Sequence, residues 1–306
     1  MARIRSLFYI CSFLVFRPLS YILPFRFYLL LIRVLSIFSA SFYFRRRAAA
    51  GKALQAVQGL APDKADKAIT EGLRNVSLFG FLDFIADKWT PGRAEKYARI
   101  EGKENLEKAI SGGKGVLLTY VHSNTFNVAL PCTGHIKEIY PLVVLESKGW
   151  LSGIHAKIRG DLWESVPNLE FTYLDREENA SLKIKHLLRR GDVVAITADG
   201  LHTTKFVSVP FFNTVLQLPM GVFKLSTLFR APIVPLFSGF DWGEGRFRIS
   251  LGKPILKDTP VETANAFSAQ FQAHLKKYPS DWSGWWRMTP VKDEKGAVVY
   301  NLYSVR

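Results

Sequence analysis

Apolar positions along the chain fall into three regimes. From residue 7 to 44 Leu, Ile, Phe and Tyr dominate, and Arg17, Pro18, Pro24, Arg26 and Arg33 break the run. The longest candidate for a membrane-crossing helix, Phe27 to Phe44, has 18 residues with an arginine inside it, at the lower limit for spanning a bilayer. On a helical wheel Arg26, Arg33, Ser36, Ser41 and Arg47 share one side. That pattern predicts a helix lying at a membrane interface at least as well as one crossing it; the alternative is a pair of ordinary buried helices. From Ala48 to about Pro91 the composition turns to Ala, Lys, Asp and Leu with helical spacing. Two helices are expected there, with Pro62 and Asp63 marking a start and Pro91 and Gly92 a stop.

From Glu101 onward short apolar runs alternate with helical stretches. After a helix over Glu104 to Ile110 and a turn at Ser111, Gly112 and Gly113, strands are predicted at Val116 to Val121, Leu142 to Leu145, Leu169 to Leu174, Val193 to Ala198, Ile233 to Gly239 and Phe247 to Leu251. Helices are predicted at Ser152 to Gly160, Asn179 to Arg190, Leu216 to Phe229 and Glu262 to Lys277. Such alternation predicts an α/β fold, a mostly parallel sheet covered by helices on both faces, with the last strand pair antiparallel. The expected organisation is a membrane-anchoring hydrophobic segment over 1–47, a helical lead-in over 48–100 and an α/β domain over 101–306.

The stretch Gly115 to Asn127, GVLLTYVHSNTFN, carries the candidate chemistry. Its apolar run suits a strand buried on both faces, and polar residues follow abruptly. A histidine at such a strand end lies at the carboxyl edge of the sheet, where open α/β folds keep their sites. A neutral His122 can there take a proton from an attacking hydroxyl or amine. If a helix begins after Ser123 or Asn124, Asn127 stands one turn in, where its carbonyl oxygen can accept the Nδ1 proton. The competing reading is a satisfied histidine in a buried turn.

A formal charge of +15 admits nucleic acid, an anionic membrane or an acidic carrier protein as partner. No zinc-finger spacing, RNP-like aromatic motif or long basic helix occurs, so lipid headgroups come first and nucleic acid last. Of the two cysteines, Cys11 falls in the anchoring segment and Cys132 far from it; a bridge is not expected, which fits a reducing compartment. The six histidines form no H-x-x-x-H pair, and no C-x-x-C occurs, so no metal is expected. No G-x-S-x-G elbow supports a serine hydrolase. A cleaved signal peptide is not expected either, because the apolar region is long, broken and without an evident cleavage site. Trp282, Trp285 and Trp286 read as an interfacial aromatic anchor or as packing over the last helix, with the interface preferred.

Taken in order, these pieces resemble one family. A strand ending in H-x4-N precedes Leu174-Asp175-Arg176, Leu187 to Val194, Ala198-Asp199-Gly200, Val209-Pro210-Phe211-Phe212-Asn213, Arg230 to Pro235, and a terminal Tyr278-Pro279, Asp281-Trp282 and Trp285-Trp286-Arg287. The order resembles the lysophospholipid acyltransferase-like superfamily, and within it the bacterial lipid A late acyltransferases that transfer lauroyl and myristoyl groups. The resemblance implies a glycerol-3-phosphate acyltransferase-like α/β fold. It also implies a membrane-associated enzyme that moves a fatty acyl group from an acyl carrier protein or coenzyme A thioester to a hydroxyl or amine of an anionic lipid. Neither a cofactor nor a covalent enzyme intermediate is implied. The expected place is the cytoplasmic face of the bacterial inner membrane, peripheral or single-pass. By the same resemblance His122 is the base, Asn127 holds the place of the orienting carboxylate, Arg159 and Arg176 contact phosphate or the acceptor headgroup, and Asp199 shapes the wall of the site.

Asn127 departs from the family pattern, which has an acidic residue there. An amide can fix the imidazole tautomer but supplies no negative charge to the imidazolium. In a serine protease the comparable change lowers turnover by about 10⁴. Three readings stay open at this point: an active enzyme with a weaker pair, an enzyme whose carboxylate comes from elsewhere, with Asp199, Asp175 and Glu146 as candidates, or a non-catalytic lipid-binding member of the fold.

Overall fold

The computed structural model describes residues 2–40, 44–143, 150–170, 172–173, 180–200, 205–292 and 298–301. Helices α1 (Ala2–Ile22), α2 (Phe25–Ala40), α3 (Phe44–Gln58) and α4 (Pro62–Leu82) come first, and a 3₁₀ segment, Asp83–Lys88, leads to α5 (Pro91–Tyr97). The α/β part runs β1 (Ala98–Glu101), α6 (Lys103–Ser111), β2 (Val116–Tyr120), α7 (Phe126–Gly134), β3 (Ile139–Val143), α8 (Trp150–Glu164), β4 (Thr172–Tyr173), α9 (Ala180–Arg189) and β5 (Val193–Thr197). A hairpin of β6 (Phe206–Phe211) and β7 (Thr214–Pro219) follows, then α10 (Met220–Phe229), β8 (Ile233–Asp241), β9 (Arg246–Leu251) and α11 (Pro260–Lys277). Two 3₁₀ turns, Pro279–Asp281 and Ser283–Trp286, lead into β10 (Thr289–Lys292) and β11 (Val298–Asn301).

The main sheet has seven strands in the order β1-β9-β8-β2-β5-β3-β4. Every neighbouring pair is parallel except β8 with β9. Alternate side chains of the central strands enter two different cores, because successive residues of a strand point to opposite faces. On one face Leu117, Val194, Ile233 and Phe237 meet α10, α11 and the β6–β7 hairpin. On the other Val116, Leu118, Ala195 and Val234 meet α6, α7 and the 3₁₀ segment. Helix α4 serves both, with Ile69 and Leu73 in the first core and Leu78 and Leu82 in the second.

Several expectations shift. Pro91 opens a helix instead of closing one: Thr90 caps α5 by accepting from the Arg93 amide, and a proline without an N–H is at home in the first turn. The helix expected over Leu216 to Phe229 begins only at Met220. Before it, Leu216 and Leu218 are buried while Val215 and Gln217 point outward, the two-residue period of a strand. Trp282 and Trp285 are buried in the first core, where Trp282 meets Phe211 and Phe271 edge-on and Trp285 lies tilted against Phe211, so packing, not an interfacial anchor, is their role.

The N-terminal segment forms two helices, α1 and α2. Among the described residues no helix is long and apolar enough to cross a membrane. Tyr28, Leu29, Ile32 and Ser36 bury one face of α2, which packs on α4. Arg17, inside α1, pairs with Asp87 at 2.6 and 2.9 Å and ties that helix to the 3₁₀ segment. The opposite faces stay apolar and open, with Leu14, Val15, Leu30, Val34, Ile37 and Phe38 exposed.

Candidate active site

Strands β2 and β5 are parallel neighbours in which Tyr120 pairs with Thr197. Two residues past each partner stand His122 and Asp199, so strand register alone brings them level at the carboxyl edge. The Ala198 amide still donates to the Tyr120 carbonyl at 2.7 Å, extending the ladder to that point. Nδ1 of His122 lies 2.7 Å from Oδ1 of Asp199, and the His122 backbone amide donates to the same oxygen at 2.9 Å. This double hold fixes both the backbone and the ring of the histidine.

Asp199 is almost wholly buried, which by itself opposes an anion. Four donors offset that: the two from His122, the Thr197 hydroxyl to Oδ1 at 2.9 Å, and the Trp282 indole N–H to Oδ2 at 3.0 Å. Burial raises the carboxyl pKa. The facing His122, by charge and hydrogen bond, together with Arg287 and Trp282, outweighs it and holds Asp199 well below the ordinary carboxylate range. An acceptor that stays ionised requires Nδ1 to carry the proton, which leaves Nε2 as the basic nitrogen. Among the described residues Nε2 has no hydrogen-bond partner, and the side chain is 34% exposed.

The C-terminal segment closes the site from behind. The Ser283 amide donates to the His122 carbonyl at 3.0 Å. Asp281 is gripped by Arg248 at 3.1 and 3.2 Å and by His274 at 3.1 Å, fixing the position from which Trp282 reaches Asp199. Gly239 on β8 faces Asp281 so closely that a Cβ there would stand 2.0 Å from the carboxylate. On the other side of His122, Phe126 packs edge-on to the ring and joins Phe79, Tyr120 and Trp163 in an aromatic cluster.

Asn127 lies elsewhere. It is fully buried in the first turn of α7, and its amide N–H group donates to the Phe79 carbonyl at 3.1 Å and to Asp83 at 3.3 Å. The expectation that its oxygen accepts the Nδ1 proton is therefore corrected: Asp199 occupies that position, and Asn127 joins α7 to the end of α4. Asp199, expected in the wall of the site, touches the histidine itself. Arg159 lies on α8, but its side chain falls outside the described residues, as do Arg176, Asp175 and Glu146. Sequence reasoning missed Trp282, Ser283 and Thr197. The signal available was the parallel between Tyr-Val-His after one strand and Thr-Ala-Asp after another, visible only once the two strands are known to be neighbours.

Fold and pair together define the class, an α/β protein with a hydrogen-bonded His–Asp pair at the carboxyl edge of a mostly parallel sheet. Residues 3–141 match the family model of bacterial lipid A biosynthesis acyltransferase. Two curated relatives, both phosphatidylinositol mannoside acyltransferase, from Mycobacterium tuberculosis strains CDC 1551 / Oshkosh and ATCC 25618 / H37Rv, are each 20% identical over 200 residues. The match covers 60% of this chain and 57% of each relative's length. These matches support a lipid A-type acyltransferase family for the chain, in agreement with the order of its motifs.

Proposed function

We propose that this protein transfers a fatty acyl group from a thioester of acyl carrier protein or coenzyme A to a hydroxyl or amine of an anionic membrane lipid, with His122 as general base. The observation that carries the reading is the hydrogen bond between Nδ1 of His122 and buried Asp199, which leaves Nε2 at the sheet edge without a partner among the described residues. Nε2 takes the proton from the acceptor as its oxygen or nitrogen attacks the thioester carbonyl. The carbon–sulfur bond then breaks, and the departing thiolate takes the proton from the imidazolium and leaves as a thiol. Asp199 stays ionised throughout and stabilises the imidazolium formed in between.

With a carboxylate on the ring, the amide at Asn127 ceases to be an argument for a non-catalytic lipid-binding protein. Membrane association at a cytoplasmic leaflet is part of the reading. Its support is the open apolar faces of α1 and α2, which suit helices lying in the interface, and the charge of +15. Arg287, close enough to Asp199 to depress its pKa, and the arginines Arg159 and Arg176 are the cations we assign to the anionic groups of donor or acceptor.

The test is acyl transfer by purified protein in detergent, with each thioester and a membrane lipid extract, comparing native protein with His122→Ala and Asp199→Asn. Native protein is expected to transfer, and both variants to lose about 10³-fold or more in turnover. Native protein without transfer from either donor, or a His122→Ala variant as active as native, overturns the reading.

A further inference from the structure

Between α2 and the β8–β9 turn lies a cavity of about 280 Å³, just below the range of roughly 300–1,000 Å³ for ligand pockets. Leu29, Leu78, Phe240 and Phe247 make its apolar walls, and among the described residues that line it only Arg26 and Arg33 are charged. These arginines stand two turns apart on α2 and so share one side of the helix.

Arg33 is held in place. Its guanidinium lies over the Phe240 ring, 5.2 Å from the centroid, and reaches the Trp242 carbonyl at 3.4 Å. Gly245 makes this possible: its φ is +69°, and a Cβ would stand 2.6 Å from Arg33 Nη1. Arg26 stacks on the Phe27 ring at 4.7 Å. Neither has a carboxylate partner among the described residues, whereas Arg17, Arg47, Arg190, Arg230 and Arg248 each face an aspartate. Two uncompensated guanidinium groups at the mouth of an apolar cavity suit a molecule with a phosphate at one end and hydrocarbon at the other, since the guanidinium fork matches phosphate oxygens. The mouth is continuous with exposed Phe27, Leu30 and Val34, so hydrocarbon entering it need not cross water.

We propose that this cavity binds one anionic phospholipid, its phosphate held by Arg26 and Arg33 and an acyl chain among the apolar walls. The site is separate from the His122–Asp199 pair, with which it shares no residue. It depends on contact with lipid, not on acyl transfer.

The experiment is equilibrium binding of phosphatidylglycerol to the full chain in detergent, read by native mass spectrometry, with phosphatidylcholine as the zwitterionic comparison. Phosphatidylglycerol is expected to bind about tenfold more tightly than phosphatidylcholine, and Arg26→Gln/Arg33→Gln to remove that preference. Leu30→Trp, which fills the mouth and keeps both charges, is expected to weaken binding by a similar factor. The readout is lipid binding and not acyl transfer, so a failure of the transfer reading leaves this one standing. A control of equal charge change on a distant surface, Lys253→Gln/Lys257→Gln, is expected to have no effect. An equal loss in that control would mean general surface attraction and overturn the site. So would full binding by Leu30→Trp, or displacement of the lipid by inorganic phosphate at matched concentration, which would mark a free-phosphate site.

Discussion

The indole N–H of Trp282 donates to Oδ2 of Asp199 at 3.0 Å, the carboxylate oxygen that His122 does not use. A tryptophan from the last part of the chain therefore holds the acidic partner of a histidine from its middle. Trp282→Phe keeps the ring packed on Phe271 and removes only this donor. The expected cost is on the order of 1.5–3 kcal/mol in stability. If about 1.4 kcal/mol of that reaches the barrier, turnover falls about tenfold. KM should stay unchanged, because the indole lies behind the carboxylate. Steady-state kinetics beside denaturant unfolding separates the two effects, and unchanged turnover in a destabilised variant would leave Trp282 with a packing role alone.

Asp199 and Asn127 make opposite predictions under reciprocal substitution. Asp199→Asn removes the charge opposite the imidazolium and is expected to lower turnover by about 10³ to 10⁴. Asn127→Asp is expected to give no gain. It sets a second carboxylate within reach of buried Asp83, so one of the two must be protonated or the fold loses on the order of 3–5 kcal/mol. The unfolding midpoint of Asn127→Asp in urea checks this, and a rate increase in that variant would return Asn127 to the orienting position.

The pH dependence of stability follows from the depressed pKa of Asp199. Burial works against ionisation, but the His122, Arg287 and Trp282 contributions win and place the folded-state value below the unfolded one. The folded chain thus binds fewer protons in acid than the unfolded chain. The stability this group contributes is present above its unfolded value of about 3.9 and is lost as pH falls from there through the folded value. Unfolding free energies of native protein and Asp199→Asn should therefore begin to converge as pH falls below about 5 and go on converging with further acidification. A gap that stays constant would contradict the assigned direction.

Gly239 and Asp281 give a further test at a distance from the chemistry. A Cβ at Gly239 would sit 2.0 Å from the Asp281 carboxylate, which Arg248 and His274 hold and which is itself buried. Asp281 cannot yield without leaving Arg248, about nine-tenths buried, to the looser contact with Asp241 at 3.6 Å. Gly239→Ala is expected to cost about 3–5 kcal/mol and to reduce turnover through the displaced Trp282. Thermal unfolding and kinetics of this variant would show both losses; loss of stability with full activity would separate the Asp281 clamp from the dyad.

Local patterning was enough to determine much of this protein. Short apolar runs and helical runs gave the alternating strands and helices, the antiparallel pairing of the last two sheet strands, and the strand end carrying His122, because buried parallel strands read as unbroken apolar runs whatever their neighbours. Motif order pointed to the family. Tertiary structure alone decided which carboxylate faces the histidine. Asn127 is five residues from His122 and Asp199 seventy-seven, yet a helix that starts at Phe126 turns the near side chain away, while the register of two parallel strands brings the far one level. The same holds for the tryptophans: aromatic residues beside arginines read by preference as an interfacial anchor, and only the packing of the C-terminal turns on α11 and the β6–β7 hairpin puts Trp282 inside, with its N–H against Asp199. Contacts between neighbouring strands and distant segments depend on sheet order, and sheet order is a property of how whole elements pack, which a one-dimensional pattern of apolar and polar residues does not encode.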